Sequence, residues 1–288
     1  MLKKSKQGQA MAPDPIPITS EAFEKNDETD IYWLGSSGVM INTHGTVIMI
    51  DPAISILGNG PVPISEKEGA PYLVVPPIDP QNVEKLDAVF YTHADDDHMP
   101  HETALALLHT GCTYYGTEFV KNKLIGYGIP EERIKVIVSE ETYDLYSFKM
   151  YCTLACHPWQ IIMPEKYDWE YRLKDCCGFK FFFDEGVFWA PGDSILLDEH
   201  LKQQDVDMLV MDFCDGRSSY HFGTEAAVMI SNAAEKAEII PYHYGTYDLP
   251  NHICMNTNPD LIKPMIENPD RFYIAAPGEK LVLKNRHK

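Results

Sequence analysis

In the stretch VFYTHADDDHMP, residues 89–100, His93 and His98 bracket the aspartates Asp95, Asp96 and Asp97. Two carboxylates about 4 Å apart repel by about 4 kcal/mol at an effective dielectric of about 20, so a partly buried run of them needs a compensating positive charge. No Lys or Arg stands within the segment, which points to a metal cation. Four more ionisable residues follow short apolar runs elsewhere: Asp51 in MIDP, His157 in LACHP, Asp193 in PGDS and His243 in PYHYGT. Asp51 aside, His93, Asp95, Asp97, His98, His157, Asp193 and His243 are enough donors for two divalent ions that share a carboxylate. Two ions about 3.5–4 Å apart turn a bridging water into a hydroxide nucleophile near neutral pH, while one of them polarises the bond being cut.

Each signal also has a plainer reading. An acidic run before a helix complements the helix dipole, and Asp96 or Asp97 can serve as a cap. A lone histidine at a strand end is ordinarily only that. Asp96 fits the plain reading and is expected to point outward. His44, His101, His109 and His200 have no partner in the pattern and read as surface or packing residues. The order of the others along the chain sets them apart.

The elements that must position these residues are short strands separated by turns and helices. Residues 31–34, 39–42 and 47–50 read as strands with glycines at the turns, and Asp51 ends the last of them. An apolar strand precedes the acidic knot, and an Ala/Leu-rich helix starts near Pro100 or His101 and stops at Gly111. In SFKMYCTLACHPW, alternation places Phe148, Met150, Cys152, Leu154 and Cys156 on one face and His157 at the strand's end. GFKFFFDEGVFWAPGDS is a hairpin signal that leads to Asp193. VDMLVMDFC reads as a buried strand, GTEAAVMISNAAEKA as a helix capped by Thr224, and EIIPYHYGT as a strand ending at His243. NPDLIKPMI opens a helix with Asn258 as cap and Pro259 in the first turn, and RFYIAAP and KLVLK read as final strands. Polar, proline-rich residues 55–82 and the aromatic, charged segment 161–175 read as insertions.

Composition narrows the function classes. The 288 residues hold 24 basic and 43 acidic side chains, a net charge of −19, which repels phosphate backbones and anionic lipid and argues against nucleic acid or a membrane as partner. The seven cysteines form an odd set without a CxxC pair, so free thiols in a reducing, cytoplasmic compartment are expected. No run of about 18 apolar residues occurs. The basic, then proline-rich beginning predicts a loosely ordered segment over 1–25, followed by one metallo-hydrolase domain over 26–288.

Taken in order, Asp51, the His93–His98 cluster, His157, Asp193 and His243 resemble the five motifs of the metallo-β-lactamase fold superfamily. WLGSSGVMI, PPIDP and PYHYGT are most similar to its ascorbate-6-phosphate lactonase-like branch. The resemblance implies an α/β fold, a four-layer α/β/β/α sandwich with two mixed sheets and metals at one edge. It implies His93, Asp95 and His157 on one ion, Asp97, His98 and His243 on the other, Asp193 between them, and Asp51 orienting a histidine ligand. Asp97 would also handle a proton. The family's second motif histidine is here Asp95, a harder donor that shifts preference from Zn²⁺ toward Mn²⁺ or Fe. Trp159, His221 and Tyr244 are the expected substrate contacts. The implied activity is metal-dependent hydrolysis of a small polar molecule, with lactone or cyclic ester opening foremost. A phosphodiesterase and a dinuclear iron redox protein are the alternatives. The nearest branch also implies a homo-oligomer.

Overall fold

The computed structural model describes residues 1–54, 72–158, 173–214, 220–250 and 255–287. Two mixed sheets face each other. The first has the order β13-β1-β2-β3-β4-β5-β6 and the second β12-β11-β10-β9-β8-β7. In the first sheet β1 (Thr29–Gly35), β2 (Gly38–Thr43) and β3 (Thr46–Ile50) form an antiparallel meander. There β4 (Ala88–Phe90), β5 (Thr113–Gly116) and β6 (Ile134–Val136) continue it in parallel, and β13 (Lys280–Val282) closes the other edge. The second sheet repeats the plan. Here β7 (Thr142–Leu145), β8 (Phe148–Leu154), β9 (Cys177–Phe183) and β10 (Gly186–Ala190) are antiparallel, and β11 (Met208–Asp212) and β12 (Glu238–Tyr242) add in parallel.

Burial explains the layering. Ile31, Trp33, Ile41, Ile48 and Phe90 from one sheet interdigitate with Met150, Phe179, Phe181, Phe188 and Val210 from the other. The opposite faces carry a second set of apolar residues, because alternate side chains point to opposite sides of a sheet. Met40, Met49, Val89 and Tyr114 pack under α1 (His101–Ala106) and α2 (Glu118–Gly126), while Leu209, Met211 and Ile239 pack under α3 (Gly223–Ala233) and α4 (Pro259–Ile262). The result is the four-layer arrangement of helices, sheet, sheet and helices. No helix among the described residues is long and apolar enough to cross a membrane.

Most expected elements are present, with informative departures. The helix after the acidic knot runs His101–Ala106 and tightens to a 3-10 turn that ends at Gly111, whose φ is 77°. Asn258 caps α4 through Asp260 N at 3.1 Å. Thr224 lies inside α3 rather than before it, and its hydroxyl turns back to Phe213 O at 3.4 Å. RFYIAAP forms no strand of its own: Phe272 makes a single parallel bridge to Ile239.

The first 25 residues, expected to be loosely ordered, are packed onto the sandwich instead. Ala12 lies in the core between the sheets, and Ala22 and Phe23 lie under the first sheet's helices. Backbone bonds tie Ala12 N to Gly245 O at 3.0 Å and Ile16 N to Pro277 O at 2.8 Å. Polar composition misled here because the anchoring is done by small buried residues and main-chain groups, which carry little sequence signal. Of the insertions, 55–71 and 161–172 lie outside the described residues; Leu73 N joins the motif around His243 by donating to Thr246 O at 2.8 Å.

Candidate metal centre

The residues that the sequence assigns to the metals, together with Asp51, follow the carboxyl ends of strands along one edge of the sandwich. Asp51 follows β3, the His93–His98 loop follows β4, His157 follows β8, Asp193 follows β10 and His243 follows β12. Two donor trios form there: His93, His157 and Asp193, and Asp97, His98 and His243, each with one atom per residue within 4.8 Å of the others. Asp95 lies against the first trio, its Oδ2 3.2 Å from His157 Nε2 and 3.6 Å from His93 Nε2. Asp193 Oδ2 is 3.2 Å from His98 Nε2 and 4.0 Å from His93 Nε2, so one carboxylate reaches both trios.

Local structure aims these side chains. The Asp51 carboxylate takes three bonds: Thr92 N at 2.8 Å, Thr92 Oγ1 at 2.5 Å and His98 Nδ1 at 2.9 Å. Because Thr92 Oγ1 donates to Asp51, it accepts from His93 Nδ1 at 2.9 Å. Asp51 therefore fixes both histidines of the loop, one directly and one through Thr92, and leaves each Nε2 facing inward. His157 Nδ1 donates to Tyr220 O at 2.6 Å. The β1–β2 turn clamps the rest: Ser37 Oγ donates to Asp97 O at 2.9 Å and His243 N donates to Ser36 O at 2.8 Å. Ser36, Asp51 and His243 all hold left-handed φ, at 45°, 43° and 64°, a cost of about 1–3 kcal/mol each that the surrounding bonds sustain. Gly192, with φ 70°, delivers Asp193 from a turn where a Cβ would come within 2.8 Å of Cys177 O.

The donor atoms fit cations. His93 Nε2, His98 Nε2 and Asp193 Oδ1 are buried without a hydrogen-bond partner, an arrangement rare for buried polar groups. At His157, Nδ1 is committed to a carbonyl while Nε2 faces a carboxylate oxygen 3.2 Å away. A cation bound there would take both atoms as ligands. Burial alone would lower the pKa of His98, but Asp193, Asp51 and Asp97 carry it up to about 10. Burial raises Asp95 and Asp97, and the neighbouring histidines outweigh it and hold both well below the usual carboxylate range. Proton and metal cation compete for the same inward-facing nitrogens.

Two expectations are corrected. Tyr244 is 1% exposed and stacks on Trp33 at 5.4 Å in the core between the sheets, so it offers no surface to a substrate. Positive charge is not absent from the acidic knot: Lys123, from α2, lies 3.3 Å from Asp96 Oδ1. Asp96 does point outward, into that ion pair. Trp159 lies outside the described residues. His221 is at the site, buried, its Nδ1 2.9 Å from Asp212 Oδ2 and 3.6 Å from Asp193 Oδ2. Asp212 escaped the sequence reading. It is 1% exposed at the end of β11, and with Asp193, His221 and His243 it forms a further cluster of donors. Its signal was a carboxylate ending an apolar strand, the same as Asp51.

The profile of the beta-lactamase superfamily domain matches residues 46–244, a span that takes in every one of these residues from Asp51 to His243. The chain belongs to that superfamily. Within the metallo-β-lactamase fold, the chain is 25% identical over 263 residues to a UPF0173 metal-dependent hydrolase of Pyrobaculum neutrophilum, covering 88% of this chain and 99% of that protein. Among solved structures, a possible metal-dependent hydrolase from Veillonella parvula superposes with a TM-score of 0.68 at 16% identity, covering 89% of this chain and 100% of that one. An isothiocyanate hydrolase from Delia radicum gut bacteria does so with a TM-score of 0.67 at 18% identity, covering 88% and 98%. At these identities the superpositions establish the fold.

Proposed function

We propose that this chain is a metal-dependent hydrolase of a small polar substrate, with lactone or cyclic ester opening as its reaction. The observation that carries the reading is the convergence of buried, inward-facing ligand atoms that make no hydrogen bond, His93 Nε2, His98 Nε2 and Asp193 Oδ1, at one edge. The name of the Pyrobaculum relative supports the hydrolase, and the lactone rests on likeness to the lactonase branch alone. His93, Asp95 and His157 would hold one divalent ion, Asp97, His98 and His243 the other, with Asp193 between them. Such ions would lower the pKa of bound water and polarise the scissile bond.

The chain's own residues supply the rest. Asp51 keeps the two loop histidines in the tautomer that presents Nε2. Asp97 Oδ2, 3.0 Å from His243 Nε2, is placed to take up and release a proton at the reacting edge. Asp212 holds His221 Nδ1 and so fixes the ring that would contact substrate. Three carboxylates, Asp95, Asp97 and Asp193, favour the harder Mn²⁺ over Zn²⁺, with Fe able to use the same donors.

Elemental analysis of the purified protein, followed by metal-reconstituted assays on lactones, amides and phosphoesters, tests this. Two equivalents of metal and turnover of lactones are expected. Protein that takes up no divalent ion would end the reading, and turnover of phosphoesters alone would replace the lactone. Asp95→His is expected to move the preference from Mn²⁺ toward Zn²⁺.

A further inference from the structure

The loop that carries His93, Asp95, Asp97 and His98 is gripped from outside the site by one face of α2. Lys123 Nζ donates to Ala94 O at 2.6 Å and to Asp96 Oδ1 at 3.3 Å. One helical turn on, Tyr127 Oη donates to Met99 O at 3.4 Å, and the Tyr127 ring centroid lies 5.8 Å from Lys123 Nζ, within cation–π reach. The helix is itself fixed at its start, where Thr117 Oγ1 accepts from Val120 N at 3.3 Å and donates to Asp175 O at 3.0 Å. Two side chains four residues apart thus hold the loop at 94, 96 and 99, and Asp95, Asp97 and His98 lie inside that grip.

We propose that Lys123 is a positioning residue for the ion held by His93, Asp95 and His157. This rests on the dinuclear reading above. The second trio has supports of its own, since Ser37 holds Asp97 O at 2.9 Å, Asp51 holds His98 at 2.9 Å and Ser36 O holds His243 N at 2.8 Å. Asp95 is entered through the Ala94 peptide, and Lys123 anchors that peptide's oxygen. An ammonium near a cation site would by itself oppose metal binding. Here Asp96 pairs with it, and the lysine side chain is 31% exposed, so its charge is largely neutralised and screened before it reaches the donors. What remains is geometry: with Lys123 in place Asp95 meets the ion without reordering the loop.

The test is calorimetric titration of Mn²⁺ into the metal-stripped full-length chain. Wild type is expected to bind two ions. In Lys123→Met one of the two should bind about ten- to a hundredfold more weakly, the usual range for losing a residue that orients a metal ligand, with the other unchanged. Lys123→Arg, which keeps the charge and donors, should recover most of the loss. Combined with Asp95→Ala, Lys123→Met should add no further effect. Equal weakening of both ions, or no weakening, overturns the proposal while leaving the hydrolase reading intact. If wild type binds no metal, the hydrolase reading fails and this proposal falls with it. Should Lys123→Met not fold, Lys123→Gln serves in the same measurements.

Discussion

Asp51 Oδ2 sits 2.9 Å from His98 Nδ1 and 2.5 Å from the Thr92 hydroxyl that in turn holds His93, so one carboxylate sets the orientation of two rings. Neither histidine is free to choose which nitrogen faces the site. Asp51 itself holds a left-handed φ of 43°, which asparagine tolerates well.

Asp51→Asn therefore keeps the backbone and removes the charge and one acceptor. It is expected to weaken metal binding about ten- to a hundredfold, at both ions rather than one. Metal titration of the purified variant checks this, and selective loss at a single ion would show that the Thr92 link to His93 carries no orientation.

Much of this site was legible because ligand residues closing apolar strands leave a local mark: MIDP, THADDDH, LACHP, PGDS and PYHYGT each place an ionisable side chain where a strand stops. The superfamily's fold followed from their order. What stayed hidden was cross-chain support. Nothing near residue 123 announces that its ammonium reaches Ala94 O, and nothing in VDMLVMDFC marks Asp212 apart from its place at the strand's end. Tyr244 was misplaced because the chain leaves the strand at His243 with a left-handed φ of 64°, a turn the sequence does not announce, and the next ring packs on Trp33 in the core.

The N-terminal segment reaches the same edge through Gly245. Its φ of 64° and the 2.5 Å separation between a built Cβ and Ala12 N leave no room for a side chain. Gly245→Ala should destabilise the protein by about 1–3 kcal/mol through strain and release residues 1–12 from the turn beside His243. Limited trypsin digestion followed by mass spectrometry checks it: cleavage after Lys6 should be faster in the variant. Equal cleavage rates would mean that the segment is held elsewhere.

His200 gives the pH dependence of stability a source away from the metal centre. Buried against Trp189 and Phe222, it accepts from Leu197 N at 3.1 Å and donates to Leu154 O at 3.0 Å, so the neutral ring is fully used. Burial lowers its pKa from 6.5 to about 4, with the bond to Leu154 O opposing. Between those values the unfolded chain binds the proton and the folded chain does not, so stability falls as pH drops from 6.5 to 4 and this contribution levels off below. The loss reaches about 3 kcal/mol as an upper bound. His200→Gln can keep one donor and one acceptor without titrating. Urea unfolding at pH 7 and pH 4.5 should show a smaller acid loss in the variant, and identical losses would remove His200 from the account.

Asp212 is the sharpest test of how the second sheet serves the site. Its two oxygens have separate duties: Oδ1 accepts from Cys214 N at 2.8 Å and Oδ2 from His221 Nδ1 at 2.9 Å, while Oδ1 also lies 3.8 Å from His243 Nδ1. An amide has one acceptor, so Asp212→Asn must turn its NH2 either toward Cys214 N–H, which breaks the bond at the end of β11, or toward the ring, which costs His221 its fixed tautomer or its anchor. Hydrolysis by the variant is expected to fall about ten- to a hundredfold. Measured beside metal stoichiometry, the fall also reports its route. With two ions retained, Asp212 acts through His221 on the substrate; with one ion lost, it acts through His243. Unchanged activity with both ions in place would reduce Asp212 to a buried strand-end carboxylate.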